Sequence, residues 1–327
     1  MAIGVLAIVG MGPDRITALT AAGYAVREAK KSPSRADAVR AAGESVRAVL
    51  TNGRDGLSGD EMALLPRLEI VCAIGAGYEG VDLDAARSRG IVVANCTGTN
   101  ASAVADSALM LLLAATRHVR QAERHIRDGG WQEQWRVDTP SITGKRLGIL
   151  GLGTIGSRIA HRAARGFDME VGYHNRKAVA GSPYRYFDSL PGLAQWADFL
   201  VCSTPGGAGT RHLVNADVLA ALGPNGYLVN VGRGSVVDTA ALLDALRAKR
   251  IAGAGLDVLE GEPAFPPAVP ELLGFDNVVL TPHCSGRAPE ARAAATVMVI
   301  GNLNAHFAGK PLPSQVLGSS GRRPEER

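Results

Sequence analysis

The chain has 327 residues, 46% hydrophobic and 20% charged, which is the balance of a soluble globular protein with room for about two domains. Its formal net charge of +4 is small and no lysine–arginine block concentrates it, so a nucleic-acid partner is not expected, whereas small anions are suited. Cys72, Cys96, Cys202 and Cys284 form no CxxC pair, which argues against a zinc site and a disulfide framework and fits a reducing, cytoplasmic setting.

Met1 to Gly12 is apolar but has neither a basic leader nor a small-residue cleavage site, so Ala2–Val9 reads as a first strand. Further β-rich runs follow at Ala25–Glu28, Ala48–Thr51, Ile70–Ile74 and Ile91–Ala94. Helical stretches such as Arg15–Ala22 and Ala36–Ala42 lie between them, the pattern of βαβ units around a parallel sheet. Gly10-Met11-Gly12 imitates a phosphate turn, but Arg15 stands where the third glycine belongs, and the segment reads as a simple turn.

A second αβ series begins with a helix near Ser102–His118. Its apolar run Leu109–Ala115 is too short to span a membrane and reads as a buried helix, with a subunit interface as one place for it. Six strands are expected, at Arg146–Leu150, Met169–Tyr173, Phe199–Cys202, Tyr227–Val231, Gly253–Val258 and Val278–Leu280. Between the first of these and a small-residue helix, Ser157–Ala164, stands Gly151-Leu152-Gly153-Thr154-Ile155-Gly156. Strand, glycine turn and helix together make a dinucleotide fingerprint. Gly151 permits the turn, Gly153 lets the backbone approach a pyrophosphate, and Gly156 allows close helix packing. The helix N-terminus, with Thr154 and Ile155, then faces the phosphates.

The mid-chain position of this turn predicts an α/β protein of two Rossmann-like domains with doubly wound parallel sheets. Residues 102–286 are expected to form an NAD(P)-binding domain. A long helix, Pro289–Phe307, follows the turn Cys284–Pro289 and crosses back, so residues 1–101 plus 287–318 form the other, flavodoxin-like domain. The active site is then expected in the interdomain cleft, and residues 319–327 read as a disordered tail.

In the NAD version of this fold an acid ends the second strand and binds the ribose hydroxyls. Here Glu170-Val171-Gly172-Tyr173 runs into His174-Asn175-Arg176-Lys177, with no carboxylate at the strand end. NADPH is therefore favoured over NAD, with Arg176 as the main ligand of the 2′-phosphate and His174, Asn175 and Lys177 in support.

Three polar residues follow strand ends: Arg233 in Asn230–Asp238, Glu262 in Gly255–Pro263, and His283 in Thr281-Pro282-His283. Open α/β sheets bind ligands at this edge. A keto-acid reductase needs a cation to hold the carboxylate and polarise the carbonyl, a proton donor for the oxygen, and a carboxylate to orient that donor. Each residue alone could be structural; His118, His125, His161 and His306 read as helix-surface residues. Glu260 competes with Glu262 and is assigned to solvent. Asp257 either caps a strand turn or reaches the nicotinamide carboxamide.

Together these segments resemble the D-isomer-specific 2-hydroxyacid dehydrogenase family over nearly the whole chain. The resemblance implies Arg233, Glu262 and His283 as the catalytic trio, with His283 as acid/base and, with Arg233, in contact with substrate. It implies that Gly75, Ala76 and Gly77 bind the substrate carboxylate through backbone N–H groups, an anion nest in physical terms. It also lines the cofactor with Thr204, Pro205, Thr210, Val231, Gly232, Asp257 and His283, with Arg211 near the adenosine end. Tyr173–Arg176, Thr204–Gly207 and Thr210–Leu213 are similar to the NADPH-dependent glyoxylate/hydroxypyruvate and hydroxyphenylpyruvate reductases. That branch implies reduction of glyoxylate, hydroxypyruvate or an aryl pyruvate to the D-2-hydroxy acid, in a homodimer, with no metal and no membrane. Other readings are a phosphoglycerate or formate dehydrogenase, or a nucleotide-sensing corepressor on the same fold. Cys284-Ser285-Gly286-Arg287 departs from the family's Ile-Gly-Ser, which bears on the substrate pocket. Asp106 matches the family's acid after Val104-Ala105, and Trp131 and Trp135 stand where relatives carry an aromatic that reaches a neighbouring subunit or packs at the interface.

Overall fold

The computed structural model describes residues 2–132 and 135–318; the tail expected at 319–327 lies outside them. Two compact units divide the chain, one holding residues up to Asn100 and from Arg287 onwards, the other Ala101–Gly286.

The first unit opens with β1 (Ile3–Ala7), α1 (Pro13–Ala21), β2 (Tyr24–Glu28), α2 (Arg35–Ala42) and β3 (Ala48–Thr51). It continues through α3 (Gly59–Ala63), β4 (Ile70–Ala73), α4 (Leu83–Ser88) and β5 (Val92–Ala94). The second unit starts with α5 (Ala101–Thr116), α6 (Val119–Arg127), β6 (Arg146–Leu150), α7 (Thr154–Gly166), β7 (Glu170–His174) and β8 (Arg185–Tyr186). There follow α8 (Leu190–Trp196), β9 (Phe199–Cys202), α9 (Ala216–Leu222), β10 (Tyr227–Asn230), α10 (Thr239–Arg247), β11 (Gly253–Leu256), α11 (Val269–Leu272) and β12 (Val278–Leu280). Two later elements, α12 (Pro289–Phe307) and β13 (Gln315–Leu317), belong to the first unit.

The first sheet runs β13-β5-β4-β3-β1-β2, parallel except for β13, which pairs antiparallel with β5. Without that edge strand the order is flavodoxin-like. Its strands are apolar on both faces because helices cover both. Leu6, Val49, Val71 and Val93 face Val39, Met62 and Ala86 of α2, α3 and α4. Val5, Ala7, Leu50 and Cys72 face Leu19 of α1 and Ala295, Val299 and Leu303 of α12.

The second sheet runs β12-β11-β10-β9-β6-β7-β8, all parallel. Strand order reverses between β6 and β9, the switch point at which such sheets bind ligands. The two-residue period is visible in β9: Phe199 and Val201 join the core under α5 and α7, Leu200 and Cys202 that under α8, α9 and α10. The apolar run of α5 is spent inside its own unit, where Leu111 and Leu112 are fully buried, while Met110 is exposed.

Two strands have no counterpart in the sequence reading, β8 and β13, of two and three residues. Such lengths carry no periodicity. Two expected strands end early: β10 stops at Asn230 and β11 at Leu256, which leaves Val231 and Asp257 in loops. His118, read as a helix-surface residue, sits between α5 and α6 in the left-handed conformation (φ 50°).

Ion pairs pin loops to this frame. Arg35 holds Glu61 through two bonds of 2.6 and 2.7 Å and also donates to the carbonyls of Asp55 and Gly56. Arg146 holds Asp198, whose carboxylate also accepts the Arg146 backbone N–H. Burial opposes ionisation of both carboxyls, but the arginine bonds outweigh it and hold each below its ordinary value. This stability is present above the unfolded carboxyl values of about 4 and is lost as pH falls through the lower folded ones. Thermal unfolding is therefore expected to be flat from neutral pH to about pH 5 and to weaken steeply below about pH 4, as calorimetry across that range would register.

Candidate active site

The glycine turn joins β6 to α7 at the switch point. Gly151 takes φ 98°, and a Cβ on Gly156 would overlap the Gly151 carbonyl, so helix and strand approach as closely as backbones can. Six helices, α2, α3, α4, α8, α9 and α10, begin with a Ser, Asp or Asn side chain that accepts a backbone N–H. By contrast, α7 begins at Gly153 with no side-chain cap. Its first N–H groups are left for an anion, the donor set a pyrophosphate needs. Across the switch point, Ser203 donates to the Gly151 carbonyl at 2.8 Å and the buried Thr204 hydroxyl has no partner among the described residues. These features fit a dinucleotide.

At the end of β7, Arg176 and Lys177 are exposed. Asn175 is drawn elsewhere: its Oδ1 accepts the Leu152 N–H of the glycine turn at 2.7 Å, so it braces that turn. His174 Nδ1 bonds the Phe187 carbonyl at 2.9 Å, which ties β7 to the segment after β8. Thr210, expected on the cofactor, gives its hydroxyl to the Pro205 carbonyl at 2.9 Å and so shapes its own loop. Val231 is buried, and Gly232 donates its N–H to Asn230 Oδ1.

The Arg233 loop leaves β10 under the control of Asn230. This fully buried amide also donates to the Arg233 carbonyl at 2.9 Å. A Cβ on Gly234 would overlap the Leu259 carbonyl group, which brings this loop onto the one after β11. There Glu262 accepts the Leu259 N–H at 2.7 Å on one oxygen and bonds His283 Nδ1 at 2.5 Å with the other. Burial works against ionisation of Glu262, but the His283 and Leu259 hydrogen bonds hold its carboxyl below the ordinary value, with the nearby Asp257 charge opposing.

His283 adopts φ 49°, a left-handed conformation that costs a non-glycine residue about 1–2 kcal/mol. Buried Asp257 holds it there. Its carboxylate accepts Thr281 Oγ1 at 2.6 Å and the Cys284 and Ser285 N–H groups at 2.9 and 3.0 Å, while its carbonyl accepts the His283 N–H. These bonds are the turn-capping role expected of Asp257. With Nδ1 committed to Glu262, Nε2 is the ring nitrogen left to act. Arg211, Arg233, Glu260, Glu262 and His283 line one cavity of about 210 Å³ within the second unit.

The residues matching the family model "D-isomer specific 2-hydroxyacid dehydrogenase, NAD binding domain" are 109–285. The chain belongs to the D-isomer-specific 2-hydroxyacid dehydrogenase family. It is 39% identical to a hydroxyphenylpyruvate reductase of Plectranthus scutellarioides, covering 87% of this chain and 90% of that one. A glyoxylate/hydroxypyruvate reductase of Arabidopsis thaliana is also 39% identical, over 88% and 90% of the two chains. The crystal structure of an NADPH-dependent glyoxylate/hydroxypyruvate reductase from Sinorhizobium meliloti, in complex with NADP and malonate, superposes with TM-score 0.84 at 36% identity over 99% of both chains. Like other 2-hydroxyacid dehydrogenases of the family, this protein is an NAD(P)-dependent oxidoreductase.

Other expectations for this dehydrogenase are corrected by its structure. Glu260 is not a solvent residue: it bonds His212 Nε2 at 2.7 Å and accepts the Thr239 N–H at 3.1 Å. Burial opposes its ionisation, and these bonds hold the carboxyl below its ordinary value. Arg211, expected near the adenosine end, lines the cavity with Arg233 and His283. Sequence reasoning missed Asn230 altogether; its signal was an amide ending an apolar strand just before a glycine. Asp106 pairs with Arg162 at 2.9 Å, a bond between α5 and α7. Trp131 is exposed and Trp135 packs on His125, ring centres 5.5 Å apart. Gly75, Ala76 and Gly77 directly follow β4, at the carboxyl end of the first sheet. Among the described residues no three His, Cys, Asp or Glu side chains could hold a metal, and no helix is long and apolar enough to cross a membrane. Asp257→Ala removes a charged acceptor from three donors and is expected to lower unfolding free energy by on the order of 1.5–3 kcal/mol in urea titrations, with loss of activity because His283 is released.

Proposed function

We propose that this dehydrogenase reduces a small 2-oxo acid, of the glyoxylate, hydroxypyruvate or aryl pyruvate type, to the D-2-hydroxy acid, with NADPH as reductant. The observation that carries the proposal is the 2.5 Å bond between His283 Nδ1 and Glu262 on a cavity shared with Arg233. The nicotinamide, when bound, supplies the hydride. Arg233 holds the substrate carboxylate and polarises the carbonyl, as a guanidinium can through two parallel donors. His283 gives its Nε2 proton to the carbonyl oxygen. Glu262, ionised, fixes the imidazole's orientation through the bond to Nδ1. Gly75, Ala76 and Gly77 stay with the proposal as anion-binding amides. His283→Ala is expected to lower kcat for glyoxylate or hydroxypyruvate by about 10²–10⁴. Near wild-type turnover would refute the mechanism.

The preference for NADPH rests on the basic end of β7. With Asn175 committed to the glycine turn, Arg176 and Lys177 are the residues proposed to meet the 2′-phosphate. Arg176→Gln should raise KM for NADPH by roughly ten- to a hundredfold, the worth of a charge-assisted hydrogen bond, and leave KM for NADH nearly unchanged. An equal effect on both cofactors would argue against it. We also propose a homodimer, supported by exposed apolar side chains on α5, on α6 and just after it: Met110, Val119, Ile126 and Trp131.

A further inference from the structure

We propose that Arg211 gives this cavity added affinity for 2-oxo acids bearing a second carboxylate, beside the monocarboxylates named above; the proposal rests on the reductase reading and extends its substrate class. The two carboxylates that line the cavity are already engaged, each by an imidazole and a backbone N–H. Glu262 takes His283 and the Leu259 N–H. Glu260 takes His212 and the Thr239 N–H. Arg211 reaches Glu260 only at 3.6 Å, beyond hydrogen-bond length, and its side chain is 62% exposed. An exposed contact of that kind is weak and easily exchanged. A carboxylate offered to the guanidinium in the cavity would be bound by charge-assisted hydrogen bonds instead.

The backbone on either side of Arg211 is held. Thr210 is tied to the Pro205 carbonyl, and the His212 N–H donates to the Ser235 carbonyl at 2.8 Å. Arg211 is thus presented from a fixed loop. With His283 assigned to the carbonyl oxygen and the first carboxylate on Arg233, Arg211 is the cavity's remaining side chain for a second anionic group. A monoanionic acid gains nothing from it.

The test uses D-malate and D-lactate, product-like acids that differ by one carboxylate. Each is titrated into the NADPH-loaded protein by calorimetry, where neither can be reduced. Wild type should bind D-malate at least roughly tenfold tighter than D-lactate, and Arg211→Gln should erase that difference while leaving D-lactate within about twofold. Arg211→Lys, which keeps the charge but not the fork, should fall between. Equal affinities in wild type, or a parallel loss of both acids in Arg211→Gln, would overturn the proposal. Failure of the reductase reading would show separately, as no NADPH oxidation by wild type with any 2-oxo acid. The binding ratio is read without turnover and judges Arg211 on its own.

Discussion

The buried carboxylate of Asp257 is the constraint around which the reactive side of the second unit is arranged. One side chain gathers Thr281, Cys284 and Ser285, and its own carbonyl takes the His283 N–H. A loop held by so many bonds can keep a non-glycine residue in the left-handed region. That conformation carries the imidazole to Glu262. A glycine would adopt the backbone without cost and carry no chemistry. The protein accepts local strain at His283 and offsets it with a charged acceptor in a place water does not reach.

A parallel arrangement governs the other side of the switch point. The helix after the glycine turn lacks the cap that six other helices have, and Asn175 and Ser203 hold the turn from β7 and β9. Its first turn has no side-chain cap among the described residues, at the place where the sheet reverses direction. The loops of His283 and Arg233 and the glycine turn thus share a logic: polar side chains hold backbone in positions that regular structure would not supply. Asn230 does the same for Arg233.

Much of this was legible in the sequence because the sheets are buried on both faces. Strands such as Phe199–Cys202 are continuously apolar, and turn and helix patterns separate them. What stayed hidden had weak local signals. Strands of two or three residues have no period, so β8 and β13 were invisible. Asn175 reads as a phosphate ligand because its neighbours are basic, and the Leu152 N–H that its Oδ1 accepts is 23 residues earlier in the chain. Glu260 looked redundant beside Glu262 until His212, 48 residues away, was found on it.

The sequence alone determined the alternation of the longer strands and helices, the position of the glycine turn, and which Arg, Glu and His follow strand ends. These are properties of local pattern: hydrophobic period, glycine spacing and the residue at a strand's last position. Only the tertiary structure decided how polar groups pair. Hydrogen bonds form between whichever donors and acceptors the sheet register brings within about 3 Å, and burial makes each such choice costly to reverse. Sequence distance does not encode that register. For this reason only the fold shows Asp257 as a brace for His283 and Arg211 as a residue facing the cavity.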